Sequence, residues 1–480
     1  MIGATSTGSR PIPAAALDPG AGAHSSSAAT PSALRILGLA ALAACVLGAV
    51  RIAAGAADGL YLLELPGGSN PHWIDGPLRG LTSLVGSLGA SGLSAGLLAM
   101  SGGYLLALAC SRWITMRAAM TAIVLANLAF TLGPTIVSTD VFGYIAYARE
   151  VALHGLNPYV SPPIAIRGDH ILAFVYWKHQ PSPYGPLFTA LSAPLGLLSD
   201  AAALWILKAL AGAASVALAV LVAGVARRRD LDAVRAAIFV GLNPVLLFYA
   251  VSGAHNDLLA MLLVGCAMAL MLRRRPGAAA GAAVAAAAVK LTVGLALPFI
   301  VLGAGRGRRA AFGSAVAIVL IGVPAVAFFG LSFFDQLHRI STDPLFDTVF
   351  SGPDRLAAAL GTHITSVIRL LSTTFAAVVA LGALMWARRG GDPITAAGWA
   401  FLGLVVSIAS LAPWYLVWVL PFAALGRSRS LRLAALLASA YLIAVHIPAL
   451  GRVPWLSQAG PPTPNLVASL QTSASRGPTL

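Results

Sequence analysis

The chain has 480 residues, 58% of them hydrophobic and only 10% charged, with a formal net charge of +15. A soluble globular chain carries about 25% charged residues, so the composition excludes an ordinary soluble domain and points to segments that cross a bilayer. The positive charge reads as arginine clusters in the loops of a membrane protein, not as a nucleic-acid surface.

In chain order, residues 1–32 are rich in Ser, Ala, Gly and Pro and lack the basic start and short apolar core of a signal peptide, which predicts a disordered tail. Apolar runs follow at 33–54, 88–110, 117–137, 201–226, 235–252, 256–272, 278–303, 310–330, 364–387, 394–410, 411–426 and 430–449. The run 278–303 is too long for one crossing and is expected to break into two short helices around Lys290. The run 184–199 is short and is expected only to dip into the bilayer. The runs do not alternate, which excludes a lipid-exposed β-barrel. The expected fold is all-α: a polytopic transmembrane helical bundle forming one domain over 33–456, with a polar tail at 457–480. Cys45, Cys110 and Cys266 fall inside apolar runs and read as small buried side chains.

The basic loops are "SRWITMR" (111–117), "RRR" (227–229), "RRR" (273–275), "RGRR" (306–309), "ARR" (387–389) and "RSRSLR" (427–432). With the N-terminus cytoplasmic, the positive-inside rule places all six inside, with about 13 crossings. The acids Asp140, Glu150, Asp169, Asp200, Asp257, Asp335, Asp343, Asp347 and Asp354 then lie outside. Two outer segments are long, 138–200 and 331–363, and any chemistry is expected there.

The first of these opens with "STDVFGYIAYAREVALHGLNPYVSP" (138–162), a gathering of polar groups unusual for this chain. Val141, Phe142, Ile145, Ala148 and Ala152 recur at helical spacing, with Tyr144, Tyr147, Glu150 and His154 between them. The pattern predicts a short amphipathic helix in the membrane interface, ended by Gly155 and Pro158. Asp140 at its start can serve as a helix cap or present a fixed carboxylate at the boundary. Arg149 can bind phosphate bidentately or face lipid headgroups. Glu150, Asn157 and Tyr159 complete the candidates of this stretch.

Further along, "PSPYGPLF" (181–188) reads as a rigid turn, with Tyr184 either a sugar contact or an interfacial anchor. "SGAHND" (252–257) gathers His255, Asn256 and Asp257 in one short outer turn, as helix caps or as sugar and phosphate contacts. Lys290 lies in an apolar run, where a charge is costly; it either snorkels to the interface or meets an anion. "APWYLVW" (412–418) brings Trp414, Tyr415 and Trp418 to the outer face, as an aromatic belt or as ligand contacts. His338, Arg339, Asp354 and Arg355 of the second outer segment have no spacing that selects a role. "DLD" (230–232) imitates a metal-binding acidic pair but reads as the cap of the helix starting near 235. No His or Cys cluster has metal-ligand spacing and no phosphate-binding glycine loop is present, so no metal or cofactor is expected.

"STDVFGYIAYA", "HGLNPY", "PSPYGPLF", "GLNPVLLFYAVSGAHND", "AAVKL" and "APWYLVWVLPF" occur in this order over residues 117–430. Together they resemble the actinobacterial polyprenol-phosphomannose-dependent α-(1→6)-mannopyranosyltransferases, membrane glycosyltransferases of the GT-C class. The resemblance implies a GT-C-like bundle in the plasma membrane, with the active site on the outer face. It implies inverting transfer of mannose from polyprenyl-phosphate mannose to a lipid-anchored mannan or lipoglycan acceptor. Asp140 matches the family's catalytic Asp and would be the general base. Lys290 and Arg149 would hold phosphate, and Tyr184, His255 and Asn256 would position sugars. The expected partners are the polyprenyl-phosphate sugar donor, a glycolipid or mannan acceptor and membrane lipid, with no nucleic acid. Two alternatives stay open: a transporter or flippase for a lipid-linked sugar, and a transferase for another polyprenyl-phosphate sugar such as arabinose.

Overall fold

In the computed structural model, residues 31–57, 71–305, 307–445 and 447 are described. The tail expected at 457–480 lies outside them. Of the tail expected at 1–32 only Pro31 and Ser32 are described, and they open the first helix, Pro31–Ala56. Every regular element among the described residues is a helix, and they contain no strand.

Among the described residues, five helices are long and apolar enough to cross a membrane: Pro31–Ala56, Ala90–Ala109, Asp200–Arg228, Gly307–Phe329 and Ser366–Arg388. Local signals set their ends. Ser199 caps Asp200–Arg228 by accepting from the Ala202 N–H, and Arg227 and Arg228 sit at its dipole-negative end. Asp232 caps Ala233–Gly241 by accepting from the Arg235 N–H at 3.0 Å, so "DLD" acts as a cap. Small residues let backbones approach: a Cβ on Gly48 would meet Gly96 O at 2.8 Å, and one on Gly103 would meet Ala41 O at 2.6 Å. Pro31–Ala56 and Ala90–Ala109 therefore pack closely, as small residues permit in membranes.

Several apolar runs are interrupted. The run 278–303 divides around Lys290 as expected, into helix Pro276–Val289, a 3₁₀ segment Leu291–Ala296 and helix Leu297–Gly303. The run 184–199 forms the short helix Pro186–Ser192 and a 3₁₀ turn. The run 235–252, expected as one crossing, is broken: Ala233–Gly241 stops before Asn243–Pro244, and a wide π turn covers Leu246–Val251. Proline lacks the N–H a continuing helix requires. Asn243 fills the gap, with Oδ1 accepting from the Val245 N–H at 3.0 Å and Nδ2 donating to Ser439 Oγ at 3.0 Å. The run 411–426 likewise divides into a 3₁₀ segment Pro413–Trp418 and helix Leu420–Leu425.

The basic loops converge at one end of the bundle. Ser111 Oγ donates to Asp232 Oδ2 at 3.1 Å, and Arg229 pairs with Asp392 at 2.8 Å and bonds Leu425 O at 3.0 Å. The long segments after 138 and 331 gather elsewhere, around Asp140 and Lys290. Gly307–Phe329 packs on Pro276–Val289 and Ser366–Arg388 on Pro393–Ser407, and the rest of each surface is open, with Leu320, Phe328, Leu370 and Phe375 all exposed. These apolar faces suit lipid.

The helix predicted over the first outer stretch forms at Asp140–Ala152, but it does not lie open in an interface. Residues 141 to 148 and Glu150 are all buried. The rest of the outer segment roofs its polar face: Tyr147 OH donates to Gln180 O at 2.7 Å, and Gly196 lies against the Ala148 carbonyl.

Candidate functional site

Five separate stretches build one cavity of about 220 Å³. The start of Asp140–Ala152 supplies Asp140, the proline-rich turn supplies Tyr184, and the helix break supplies Lys290. The 3₁₀ segment Pro413–Trp418 supplies Trp414 and Tyr415, and the second outer segment supplies Arg339. Local sequence explains each presentation. Lys290 is extended (φ −147°, ψ 112°) because helix Pro276–Val289 ends there. The turn bearing Tyr184 is seated on that same break, the Gly185 N–H donating to Val289 O at 3.0 Å.

Asp140 is the first residue of its helix, not the cap. Thr139 holds the cap position, without a side-chain bond, and the Asp140 N–H donates to Ser138 Oγ at 3.1 Å. The carboxylate is thus free of the capping role and faces the cavity. Burial pushes its pKa from 3.8 up to about 6; the Lys290 charge opposes the rise and the Asp257 charge adds to it. Hydrogen bonds from Ser138 and Tyr184 also favour the carboxylate. It is therefore ionised at neutral pH and more basic than a free Asp, which is what a general base requires.

His255 Nδ1 lies 3.5 Å from Asp140 Oδ2, and its ring stacks on Trp414 at 3.7 Å with a 17° interplanar angle. Burial and the Lys290 charge hold this imidazole well below its ordinary pKa, so it is neutral at physiological pH. Both side-chain polar atoms of Asn256 are buried without a hydrogen-bond partner, and its backbone N–H donates to Tyr144 OH at 3.4 Å. Tyr144 in turn packs edge-on to Tyr184, centroids 4.6 Å apart. Asp257 is fully buried and holds Lys290 Nζ at 2.8 Å with one oxygen and Trp418 Nε1 at 2.7 Å with the other. Lys290 does not snorkel: its ammonium lies 4.7 Å from the Tyr415 ring centre and 5.4 Å from that of Trp418. Trp418 is completely buried, so these aromatics form an inner wall rather than a membrane belt.

Tyr144, His255, Asn256 and Asp257 stand behind the cavity lining, and four further candidates outside it are engaged elsewhere. Arg149 Nε pairs with Asp169 at 2.8 Å and its NH1 lies 3.6 Å from Asp200, in a cluster completed by His170 on Asp200 at 2.7 Å. The guanidinium thus clasps the outer segment to helix Asp200–Arg228. Glu150 is fully buried and neither oxygen has a hydrogen-bond partner. Asn157 Nδ2 donates to Phe329 O at 2.8 Å, and Tyr159 OH bonds Thr189 Oγ1 at 2.7 Å between Phe329 and Phe333. "HGLNPY" thereby ties the outer segment to helix Gly307–Phe329.

Arg339, to which the sequence gives no role, lines the cavity, and so do Gln180 and Thr348, which no sequence pattern marks. No local spacing marks them: Gln180 is held over the site by Tyr147 OH, and Thr348 bonds Ala409 O and Leu411 O, closing the second outer segment over it. Among the described residues no group of three or more His, Cys, Asp or Glu is arranged to hold a metal ion.

Two family models match the chain. The alpha-(1→6)-mannopyranosyltransferase N-terminal domain covers residues 35–306, and glycosyltransferase family 87 covers residues 183–448. An alpha-(1→6)-mannopyranosyltransferase A of Mycobacterium tuberculosis is 29% identical over 340 residues, 65% of this chain and 65% of that protein. A second alpha-(1→6)-mannopyranosyltransferase of the same bacterium is 25% identical over 387 residues, 64% of this chain and 65% of its own length. The alpha-(1→6)-mannopyranosyltransferase B of Corynebacterium glutamicum is 30% identical over 142 residues, 27% of this chain and 23% of that protein. The chain therefore spans just under two thirds of the length of the first two of these relatives. No solved structure matches it.

Proposed function

We propose that this chain, which belongs to the alpha-(1→6)-mannopyranosyltransferase family and to glycosyltransferase family 87, is an inverting mannosyltransferase. Its donor is polyprenyl-phosphate mannose and its acceptor a lipid-anchored mannan or lipoglycan, at the outer face of the plasma membrane. The observation that carries this reading is Asp140: a carboxylate freed from capping, raised to about 6, at the wall of a cavity that also holds aromatic faces and cations.

The reaction follows from these groups. Asp140 takes the proton of the acceptor hydroxyl as its oxygen attacks the anomeric carbon. The bond from that carbon to the phosphate oxygen breaks on the opposite face, and the phosphate leaves with the electron pair. One base suffices, because the leaving phosphate needs no protonation. His255, held neutral against Trp414, supplies a hydrogen-bonding edge beside the carboxylate. Tyr184 and Trp414 offer aromatic surface for sugar rings. The exposed apolar faces of Gly307–Phe329 and Ser366–Arg388 suit a polyprenyl tail approaching through the bilayer. A phosphate also needs a cation, and two line the cavity, Lys290 and Arg339.

The test is transfer from polyprenyl-phosphate mannose to a short α-(1→6) mannoside in membranes, wild type beside Asp140→Asn at matched expression. The variant is expected to lose about 10²-fold or more in rate. An unaltered rate would remove Asp140 from the chemistry. No transfer by wild type would reject this donor or acceptor in favour of a pentosyl donor or transport.

A further inference from the structure

The cavity has two cations, and their surroundings differ. Lys290 already carries a counter-charge: its ammonium is 2.8 Å from Asp257, and the rings of Tyr415 and Trp418 cover it. Asp257 is fully buried, and its other oxygen is taken by Trp418. Drawing the ammonium off to a second anion would strand a buried carboxylate, a costly arrangement. Arg339 is the reverse case. It is half-buried in helix Asp335–Thr342, and no carboxylate among the described residues forms an ion pair with it. Its recorded hydrogen bond is a long one, from NH2 to Tyr159 O at 3.4 Å. Most of its five donors therefore remain available.

The charges in the cavity wall and directly behind it then sort by position. Lys290 and Asp257 cancel each other, and His255 is neutral. What remains is one carboxylate, Asp140, and one guanidinium, Arg339. The second outer segment sets Arg339 against the cavity, and it joins Gly307–Phe329 to Ser366–Arg388, the two least buried of the long apolar helices.

We propose that Arg339 is the residue that binds the phosphate of the lipid-linked donor, and that Lys290 is a positioning residue that holds Asp257 and sets the field at Asp140. This rests on the mannosyltransferase reading above only for the class of donor, a polyprenyl phosphate. A planar guanidinium with unspent donors matches two phosphate oxygens, which a lysine paired with Asp257 does not.

The test is equilibrium binding of farnesyl phosphate and of farnesol to the purified full chain, for wild type, Arg339→Gln and Arg339→Lys. Wild type should prefer the phosphate. Arg339→Gln should weaken farnesyl phosphate binding about 10-fold or more and leave farnesol binding unchanged, with Arg339→Lys between. The unchanged farnesol arm shows that the variant is folded. In turnover, Arg339→Gln should raise the donor KM without moving the acidic limb of the pH profile, which a general loosening of the site would not do selectively. Retained preference for phosphate in Arg339→Gln overturns this inference while leaving the transferase reading standing. A wild type that does not distinguish phosphate from alcohol overturns both.

Discussion

Glu150 offers a measurement that depends on burial alone. Its side chain is fully enclosed in helix Asp140–Ala152 and neither carboxylate oxygen has a partner. Burial pushes its pKa from 4.5 up to about 8. The folded state thus keeps this proton over a range in which the unfolded chain has lost it. Stability is fully retained below the unfolded value, declines as pH rises above it, and stops declining above the folded value. At pH 7 the gap from the unfolded value is about 2.5 units, at about 1.36 kcal/mol each, or about 3 kcal/mol of stability forgone. Gln is close in shape to the protonated acid. Glu150→Gln should therefore match wild type near pH 4.5 and become progressively more stable than it between pH 5 and 8. Thermal midpoints at one scan rate in a single detergent, over a pH series, read this directly. A stability difference that is flat with pH, or a variant less stable than wild type at pH 8, would mean that the carboxylate is paired or hydrated and would refute the reasoning. The same shift keeps Glu150 protonated at neutral pH, so it does not compete with Asp140 as a base.

Transfer should fall as a single group protonates near pH 6, because Asp140 must be ionised to accept a proton; a profile flat from pH 5 to 8 would exclude it. Asp257→Asn removes a charge that raises the Asp140 pKa and should move that acidic limb to lower pH, while Lys290→Met removes one that lowers it and should move the limb up. Limbs that stay put in both variants would place the titrating group elsewhere. Gly185→Ala should destabilise the protein by about 1–3 kcal/mol, as overpacking does, and reduce activity with it. Its Cβ would lie 2.2 Å from Ala288 O, forcing the turn that bears Tyr184 away from the break that bears Lys290. An unchanged melting temperature would show that the two segments are not in contact.

The all-helical fold was legible because a bilayer imposes one requirement on every segment, a run of apolar side chains, and hydropathy reads that directly. Caps such as Asp232 were legible for a related reason: capping is decided within three or four residues. The errors arose where hydropathy outweighed local chemistry. Asn243–Pro244 and Pro421 both interrupt the helix, yet the runs containing them are apolar enough to read as continuous. Asp140, Tyr184, Lys290 and Trp414 stood out as polar or aromatic groups in an apolar chain, and the fold does bring them to one cavity. The same criterion selected Arg149, Asn157 and Tyr159, which instead spend their bonds on Asp169, Phe329 and Thr189. It noted Arg339 but gave it no role, because its neighbours in sequence say nothing of where it will sit. A polar group at a membrane edge can hold loops together or meet a substrate, and the difference lies in whether its donors and acceptors are used by the protein. That balance is settled by partners tens to hundreds of residues away. Arg149 and Arg339 make the contrast plain: the same side chain in two outer segments, one bound to two carboxylates and one left with donors to offer.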